Sequence, residues 1–465
     1  MMLDQQILEM KDAIVQAVQE SVRIKSVEDT ARENMPFGEG VYTALNHAMK
    51  LSEKLGFKAV NMDNMIGYAE YGQGEEMVAV LGHLDVVPEG EGWSYPPYGA
   101  EIHDSRIYGR GTLDNKGPII GALFALKAIK DLKIPLKKRV RIIFGTNEES
   151  GSRGVAYYVQ REEVPVLGFT PDAEYPIIYA EKGIVTVSHE KQFKGEGGGI
   201  CIKSFKGGVA ANVVPAYAEA LLGMEEACVG EMLKCIEKII EKNGWNINAS
   251  VKEKGKDIQL RSYGISAHGS TPELGKNAII PLLQLLNQLD IKKDVKALFS
   301  FIEKFIGEET DGKSLEIGME DDISGKLTLN LGTMTGNDDV IKFDVNIRYP
   351  VTGKYDDFIP KLQEIMKENN VEIEKIRHKV PLYIPKEAEL IQKLQKVYQE
   401  KTNQEPKLLV IGGGTYAKSM KNVVAFGPIF PGEPDVIHQP DEYITIDNLI
   451  KNVQIVAAAI YELAR

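Results

Sequence analysis

Five separated patches of this 465-residue sequence carry side chains of the types that hold divalent metal and drive hydrolysis: His83-Leu84-Asp85, Asp114-Asn115-Lys116, Glu148-Glu149-Ser150, Asp172 and His438. Imidazole nitrogens and carboxylate oxygens bind Zn2+-type ions at roughly 2 Å, and a catalytic site keeps one position open for water. Two such ions about 3.5–4 Å apart need a bridging group, usually a carboxylate. Asp114 is the candidate bridge, because a strand-to-helix corner places it beside the other ligands. Asp85 lies two residues after His83, so on a strand the two share a face. From there a carboxylate can hold the far ring nitrogen and fix the tautomer. The Glu148-Glu149 pair divides naturally, since adjacent side chains diverge at a strand end. One can bind metal while the other stays free to take a proton from water. With only 7 histidines in the chain, few are spent casually.

These patches need elements that bring them together. Apolar runs that read as buried strands precede three of them: 77–81 before His83, 140–144 before Glu148, and 166–169 before Asp172. Ligands of open α/β sheets gather at the carboxyl ends of strands. Residues 3–22 are amphipathic at helical spacing, 41–55 give a second helix, and 117–132 form the clearest helix, directly after Asp114. This alternation, up to about Lys182, predicts an α/β catalytic domain with a mostly parallel sheet flanked by helices. Beyond Gly183 the pattern changes. Residues 184–190 alternate apolar and polar, and Gly195 to Gly199 form a turn cluster. Further alternating strands are expected at 258–263, 327–332, 341–348 and 371–376, with helices at 224–242, 277–289 and 355–369. Such a segment reads as an α+β insert with one sheet face exposed. From about Lys379 the α/β style resumes with a helix at 388–399, a strand at 408–411, a turn at Gly412–Gly414, and a closing helix to Arg465 capped by Asp447. The expected organisation is a catalytic domain from 1–183 and 379–465, interrupted by a lid domain at 184–378. That insert exceeds the about 100–150 residues of one ordinary domain, which leaves room for two subdomains.

Composition narrows the partners. Hydrophobic content of 43% and charged content of 26% are ordinary for globular protein. A net charge of -12 argues against nucleic acid and anionic membrane. The opening residues have neither a basic region nor an apolar one, so no secretory signal is expected. The longest apolar stretch, 118–129, is too short for a membrane span and contains Lys127. Cys201, Cys228 and Cys235 form no CxxC pair and leave one over, as reduced cytosolic thiols do. The expected location is the cytoplasm.

The segments 82–88 (GHLDVVP), 109–117 (GRGTLDNKG) and 146–152 (TNEESGS) together resemble the metallopeptidase family of aminoacylases, carboxypeptidase G2 and carnosinases. Within it, the long insert and the segments 263–272 (YGISAHGSTP) and 412–417 (GGGTYA) are similar to the bacterial dipeptidase V type, a group of Xaa-His dipeptidases. The resemblance covers essentially the whole chain. It implies two divalent ions per chain, Zn2+ first with Mn2+ or Co2+ as alternatives. His83 and Asp172 would complete one ion and Glu149 and His438 the other, with Asp114 bridging. Glu148 would be the general base and Asp85 the partner of His83. The family usually has Asp after the bridging Asp, joined by a cis peptide. Asn115 stands there in this sequence, with the same turn expected. The resemblance further assigns His268 to the oxyanion hole and Asn212 and Arg348 to substrate binding. Taken alone, His268 reads as a loop histidine and Arg348 equally as a surface arginine. Its planar guanidinium is nonetheless the natural fork for a terminal carboxylate, and the amides of Gly413 and Gly414 could join it.

The function these expectations describe is hydrolysis of dipeptides by a metal-activated water, with Glu148 as base and a small peptide as the only partner. A large lid makes a monomer self-sufficient. Alternatives are an N-acyl-amino-acid hydrolase or longer-peptide exopeptidase on the same site, or a catalytically inactive metal-binding protein on the same fold.

Overall fold

The computed structural model describes residues 2–194, 198–252 and 256–465, so 195–197 of the expected turn cluster lie outside the described residues. The chain divides into two units. The first comprises Met1–Tyr179, Tyr383–Val410 and Gly414–Arg465, the second Ala180–Leu382 and Ile411–Gly413. The crossing points therefore fall at Ala180 and Leu382 rather than at 184 and 378. The strand Gly183–Gln192 already pairs inside the second unit, and Ile384 N–H returns to the carbonyl of Tyr179 in the first. Ile411–Gly413, expected with the catalytic domain, group with the second unit because Lys182 N–H donates to the Ile411 carbonyl and Arg348 to that of Gly412.

In the first unit, the sheet runs in the order Lys58–Met62, Ile66–Tyr71, Arg139–Gly145, Met77–His83, Leu167–Thr170, Val423–Ala425, Ile177–Glu181. Its middle is parallel and its flanks antiparallel. Every residue of Met77–His83 is buried, as a central strand covered on both faces must be. The helix Lys116–Asp131 is apolar nearly all round and correspondingly buried. It packs on the helices Lys11–Val22 and Ile446–Ala464. Gly121 permits that approach, because a Cβ there would stand 2.9 Å from Val453 Cγ2. Residues 3–22 form two helices, Met2–Glu9 and Lys11–Val22, meeting at Met10. The cap of the closing helix is Thr445, whose hydroxyl accepts from Asn448 N–H at 3.1 Å; Asp447 sits in the first turn instead.

The second unit is built on one eight-stranded antiparallel sheet ordered Ile247–Val251, Asp257–Tyr263, Tyr217–Gly223, Cys201–Gly207, Thr328–Gly336, Val340–Tyr349, Gly183–Gln192, Ile373–Lys379. Burial alternates along Gly183–Gln192, as expected for a strand with one covered face. The helices Val229–Asn243, Ile279–Leu286, Lys293–Phe305 and Tyr355–Glu368 all feed one apolar cluster with the sheet's buried side chains. The insert thus forms one unit and not two. Among the described residues no helix is long and apolar enough to cross a membrane.

Candidate metal centre

The parallel register of the first unit's sheet sets the site. His83 lies opposite Gly145, so the turn after Gly145, which carries Glu148 and Glu149, opens beside His83. Asp172 follows the neighbouring strand Leu167–Thr170 by two residues. Asp114 precedes the helix Lys116–Asp131, and its peptide bond to Asn115 is cis. The Asn115 side chain ties two of these strand ends together: its Oδ1 accepts from His83 N–H and its Nδ2 donates to the Pro171 carbonyl. His438 arrives on the loop before Tyr443–Thr445, which pairs with Arg106–Tyr108.

These side chains converge. His83 Nε2 lies 2.9 Å from Asp114 Oδ1 and 3.3 Å from Asp172 Oδ1. His438 Nε2 lies 3.0 Å from Asp114 Oδ2 and 3.2 Å from Glu149 Oε1. Two nitrogen–oxygen sets therefore share Asp114, one of its oxygens turned to each. Ligand atoms of His83, Asp114 and Glu149 also come within 4.8 Å of one another.

Asp85 is placed somewhat differently from expectation. His83 Nδ1 is 2.9 Å from the main-chain carbonyl of Asp85, while the carboxylate Oδ1 lies at 3.6 Å. A carbonyl only accepts, so Nδ1 carries a proton, and Nε2 is the ring atom turned to Asp114 and Asp172 in the cleft. The Asp85 carboxylate instead accepts the Glu149 N–H at 3.1 Å. The Glu148-Glu149 turn is further held by Glu28, which accepts from Asn147 Nδ2 at 2.8 Å and from Ser150 and Arg153. Among the described residues no side chain hydrogen-bonds the Glu148 carboxylate.

The electrostatics of the protein groups fit a cation. Burial raises the Glu148 carboxyl to about 8; His83 opposes the rise, and the charges of Asp172, Glu149 and Asp114 add to it. Burial raises Asp172 to about 7 against the attraction of His83. Burial also works against the Asp114 charge, but hydrogen bonds from His438 and His83 outweigh it and hold that carboxyl far below its ordinary range. Burial would lower His438, yet Asp114 and Glu149 push it up to about 10, and His83 likewise stands well above its usual value. The acid-rich cleft thus recruits its own imidazoles as countercharge. Divalent metal fits this donor set, supplying the charge and leaving both imidazoles neutral for coordination.

The remaining expected residues belong mostly to the second unit. The Asn212 carbonyl accepts from Gly269 N–H at 2.7 Å, and Val213 bridges to His268, so these two segments are neighbours. His268 keeps an exposed edge while its ring is partly enclosed, with Nδ1 2.6 Å from Ser270 Oγ; that enclosure and then the charge of Arg348 lower it from its ordinary value. Arg348 is buried and donates to Asn346 Oδ1 at 2.7 Å and to the Gly412 carbonyl at 2.9 Å. Gly412 thus enters by its carbonyl, and the division between units falls between Gly413 and Gly414.

Sequence reasoning missed three contributors. Tyr416 packs edge-on to His83 with ring centres 6.0 Å apart, its hydroxyl over Gly145, where a Cβ would stand 2.1 Å away. Arg110 and Glu442 form a buried pair behind Asp114. Arg110 and Tyr416 lie in segments that carried the family resemblance. Glu442 has no comparable marker.

Residues 79–462 match Peptidase family M20/M25/M40. The chain belongs to this metallopeptidase family. It is 42% identical over 467 residues to "Putative dipeptidase YtjP" of Bacillus subtilis (strain 168), with 99% of each chain covered. It is 33% identical to "Putative dipeptidase SSP1012" of Staphylococcus saprophyticus, with 98% of each covered. Among solved structures, human carnosine dipeptidase 1 aligns with a TM-score of 0.55 at 17% identity over 99% of both chains. Aminoacylhistidine dipeptidase from Vibrio alginolyticus gives 0.58 at 13% over 96% of both. At such identities the likeness is one of fold, and the M20 fold is the one expected from the sequence resemblance.

Proposed function

We propose that this M20 protein is a dinuclear metallodipeptidase. The observation that carries the reading is the pair of nitrogen–oxygen sets sharing Asp114, with Glu148 beside them and spent on neither. His83 and Asp172 would hold one ion, Glu149 and His438 the other, with Asp114 between; Zn2+ comes first, Mn2+ or Co2+ next. When bound, the ions polarise the scissile carbonyl and make water a nucleophile near neutral pH. Glu148 takes the proton of the attacking water and passes it to the leaving amine. Asp85 keeps His83 in the tautomer that faces the cleft. On the family resemblance, His268 donates to the developing oxyanion. Arg348, with Asn212, Gly413 and Gly414, selects substrates by a free carboxylate. The dipeptide designation of the relatives supports this choice over N-acyl amino acids and longer peptides. Work as a cytoplasmic monomer completes the reading.

The test is a matrix of metal-free protein reloaded with Zn2+, Mn2+ or Co2+ against dipeptides, dipeptide amides, tripeptides and N-acyl amino acids. Dipeptides should turn over fastest. Glu148→Gln should keep its metal content, measured by elemental analysis, and lose roughly 10²–10⁴-fold in turnover. No turnover with any metal would favour an inactive binder, and near-normal turnover of the variant would move the base elsewhere.

A further inference from the structure

We infer that the buried Arg110–Glu442 pair is a positioning device that sets Asp114 and His438 against each other; this rests on the ligand roles proposed above. Arg110 is 1% exposed and Glu442 0%. Arg110 Nη1 lies 2.7 Å from Glu442 Oε2. Apart from the bond between them, the hydrogen bonds of both residues go to main chain among the described residues. Each grips main chain at a ligand.

Glu442 Oε1 accepts three successive-turn amides: Gly111 N–H at 3.0 Å, Leu113 N–H at 3.0 Å and Asp114 N–H at 3.2 Å. A carboxylate seated in such a nest of amides fixes the turn that presents Asp114. At the other end of the pair, the guanidinium donates to the carbonyls of His438 at 3.3 Å, Gln439 at 3.3 Å and Glu89 at 3.2 Å. His438 needs such a hold, because its φ of +62° is a left-handed conformation that a residue with a Cβ rarely adopts. The two loops are joined nearby by Gly109 N–H to the Glu442 carbonyl at 2.8 Å. One ion pair thus clamps the backbone of both residues whose side chains meet at 3.0 Å. A buried ion pair is a poor source of net stability, since desolvation offsets its attraction. Its grip on two ligand loops gives it a use beyond stability. Only a planar fork spans several carbonyls while bonding a carboxylate; an ammonium is a point charge.

The two partners predict different failures. Arg110→Lys keeps the ion pair and the Asp114 turn but releases the His438 loop. It should weaken one of two bound ions by about 10–100-fold, the usual effect of losing a group that orients a ligand, and leave the other within about twofold. Glu442→Gln loosens the Asp114 turn, so both ions should weaken. The measurement is calorimetric titration of Co2+ into metal-free protein, with thermal unfolding of the metal-free form alongside. Arg110→Lys overturns the inference if both binding steps are unchanged or fall equally. Should that variant not fold, Arg110→Met/Glu442→Gln removes both charges together. Titrated at a temperature where thermal unfolding shows its metal-free form fully folded, it should have both steps weakened. Wild-type affinities in that folded variant would reduce the pair to an element of structure. A wild type taking up fewer than two Co2+ overturns the dinuclear reading itself, and is recognised before any variant is compared.

Discussion

Two buried histidines, one in each unit, show what separates a reactive interior from an inert one. His83 and His189 are each 1% exposed. Burial lowers both. In the first unit the charge of Asp172 and the hydrogen bonds of Asp114 and Asp172 overcome burial and lift His83 well above its ordinary value. In the second, His189 stacks on Phe343 at 4.4 Å, bonds among the described residues only a main-chain carbonyl, and is lowered by burial to about 4. Burial alone therefore makes a neutral packing residue. Convergent carboxylates at the ends of parallel strands instead hold an imidazole in an acid-rich cleft whose donor set fits a metal.

The largest way to break that contrast is to remove the shared carboxylate. Asp114→Ala should lose metal from both sets at once, and with it nearly all turnover, because both histidines lose a partner. Elemental analysis of the purified variant decides the matter; two tightly held equivalents would show that Asp114 is no bridge.

Next comes His268 of the second unit, the oxyanion donor proposed above. His268→Ala should retain metal and fold while turnover falls about 10²–10³-fold, the typical loss of one oxyanion donor. Unchanged kinetics would remove His268 from the reaction.

The two units also differ in how far they could be read from sequence. In the first, His83, Glu148 and Asp172 each follow a short apolar run, and the runs 77–81, 140–144 and 166–169 match parallel strands to within two residues, whereas Lys58–Met62 and Ile66–Tyr71 on the sheet's flank carry no such marker. The candidate site was legible because these residues are tied to strand ends. Glu442 was not, since its role is a backbone grip that leaves no pattern. In the second unit the strands Cys201–Gly207, Tyr217–Gly223 and Ile247–Val251 went unassigned. Tyr217–Gly223 reads YAEALLG, rich in helix formers, and only its neighbours in the sheet make it a strand. Cys201–Gly207 loses its alternation at a bulge between Ile202 and Ser204. The helix Lys293–Phe305, absent from the elements expected above, does carry a sequence signal in Val295, Leu298, Phe299 and Ile302 at helical spacing.

Arg348 sharpens the comparison at a smaller scale, as a buried charge in the second unit. Burial alone lowers it to about 10, and no carboxylate among the described residues pairs with it. A substrate carboxylate would supply the missing partner. A charged hydrogen bond in a closed site is worth roughly 1.5–3 kcal/mol, so a dipeptide should exceed its C-terminal amide at least about tenfold in kcat/KM. Arg348→Ala should erase most of that preference and Arg348→Lys restore little. Equal rates for the two substrates in the wild type would dismiss the carboxylate clamp.

The smallest effect concerns stability rather than turnover. Because burial dominates at His189, the folded second unit resists protonating it, while the unfolded chain takes up a proton near pH 6.5. A folded value below the unfolded one means that this contribution is fully present above about pH 6.5. It declines as pH falls toward about 4, by on the order of 3 kcal/mol over that window. The Glu372 carbonyl and the Asp344 charge act in the opposite sense but do not cancel burial. His189→Gln keeps a donor for that carbonyl and cannot titrate. Urea unfolding at pH 7 and pH 4.5 should therefore separate the two proteins, the wild type losing more stability on acidification than the variant. Carboxylates that titrate in the same range are common to both and drop out of the difference. Parallel pH–stability curves would mean that His189 is not held neutral, and the contrast with His83 would then rest on geometry alone.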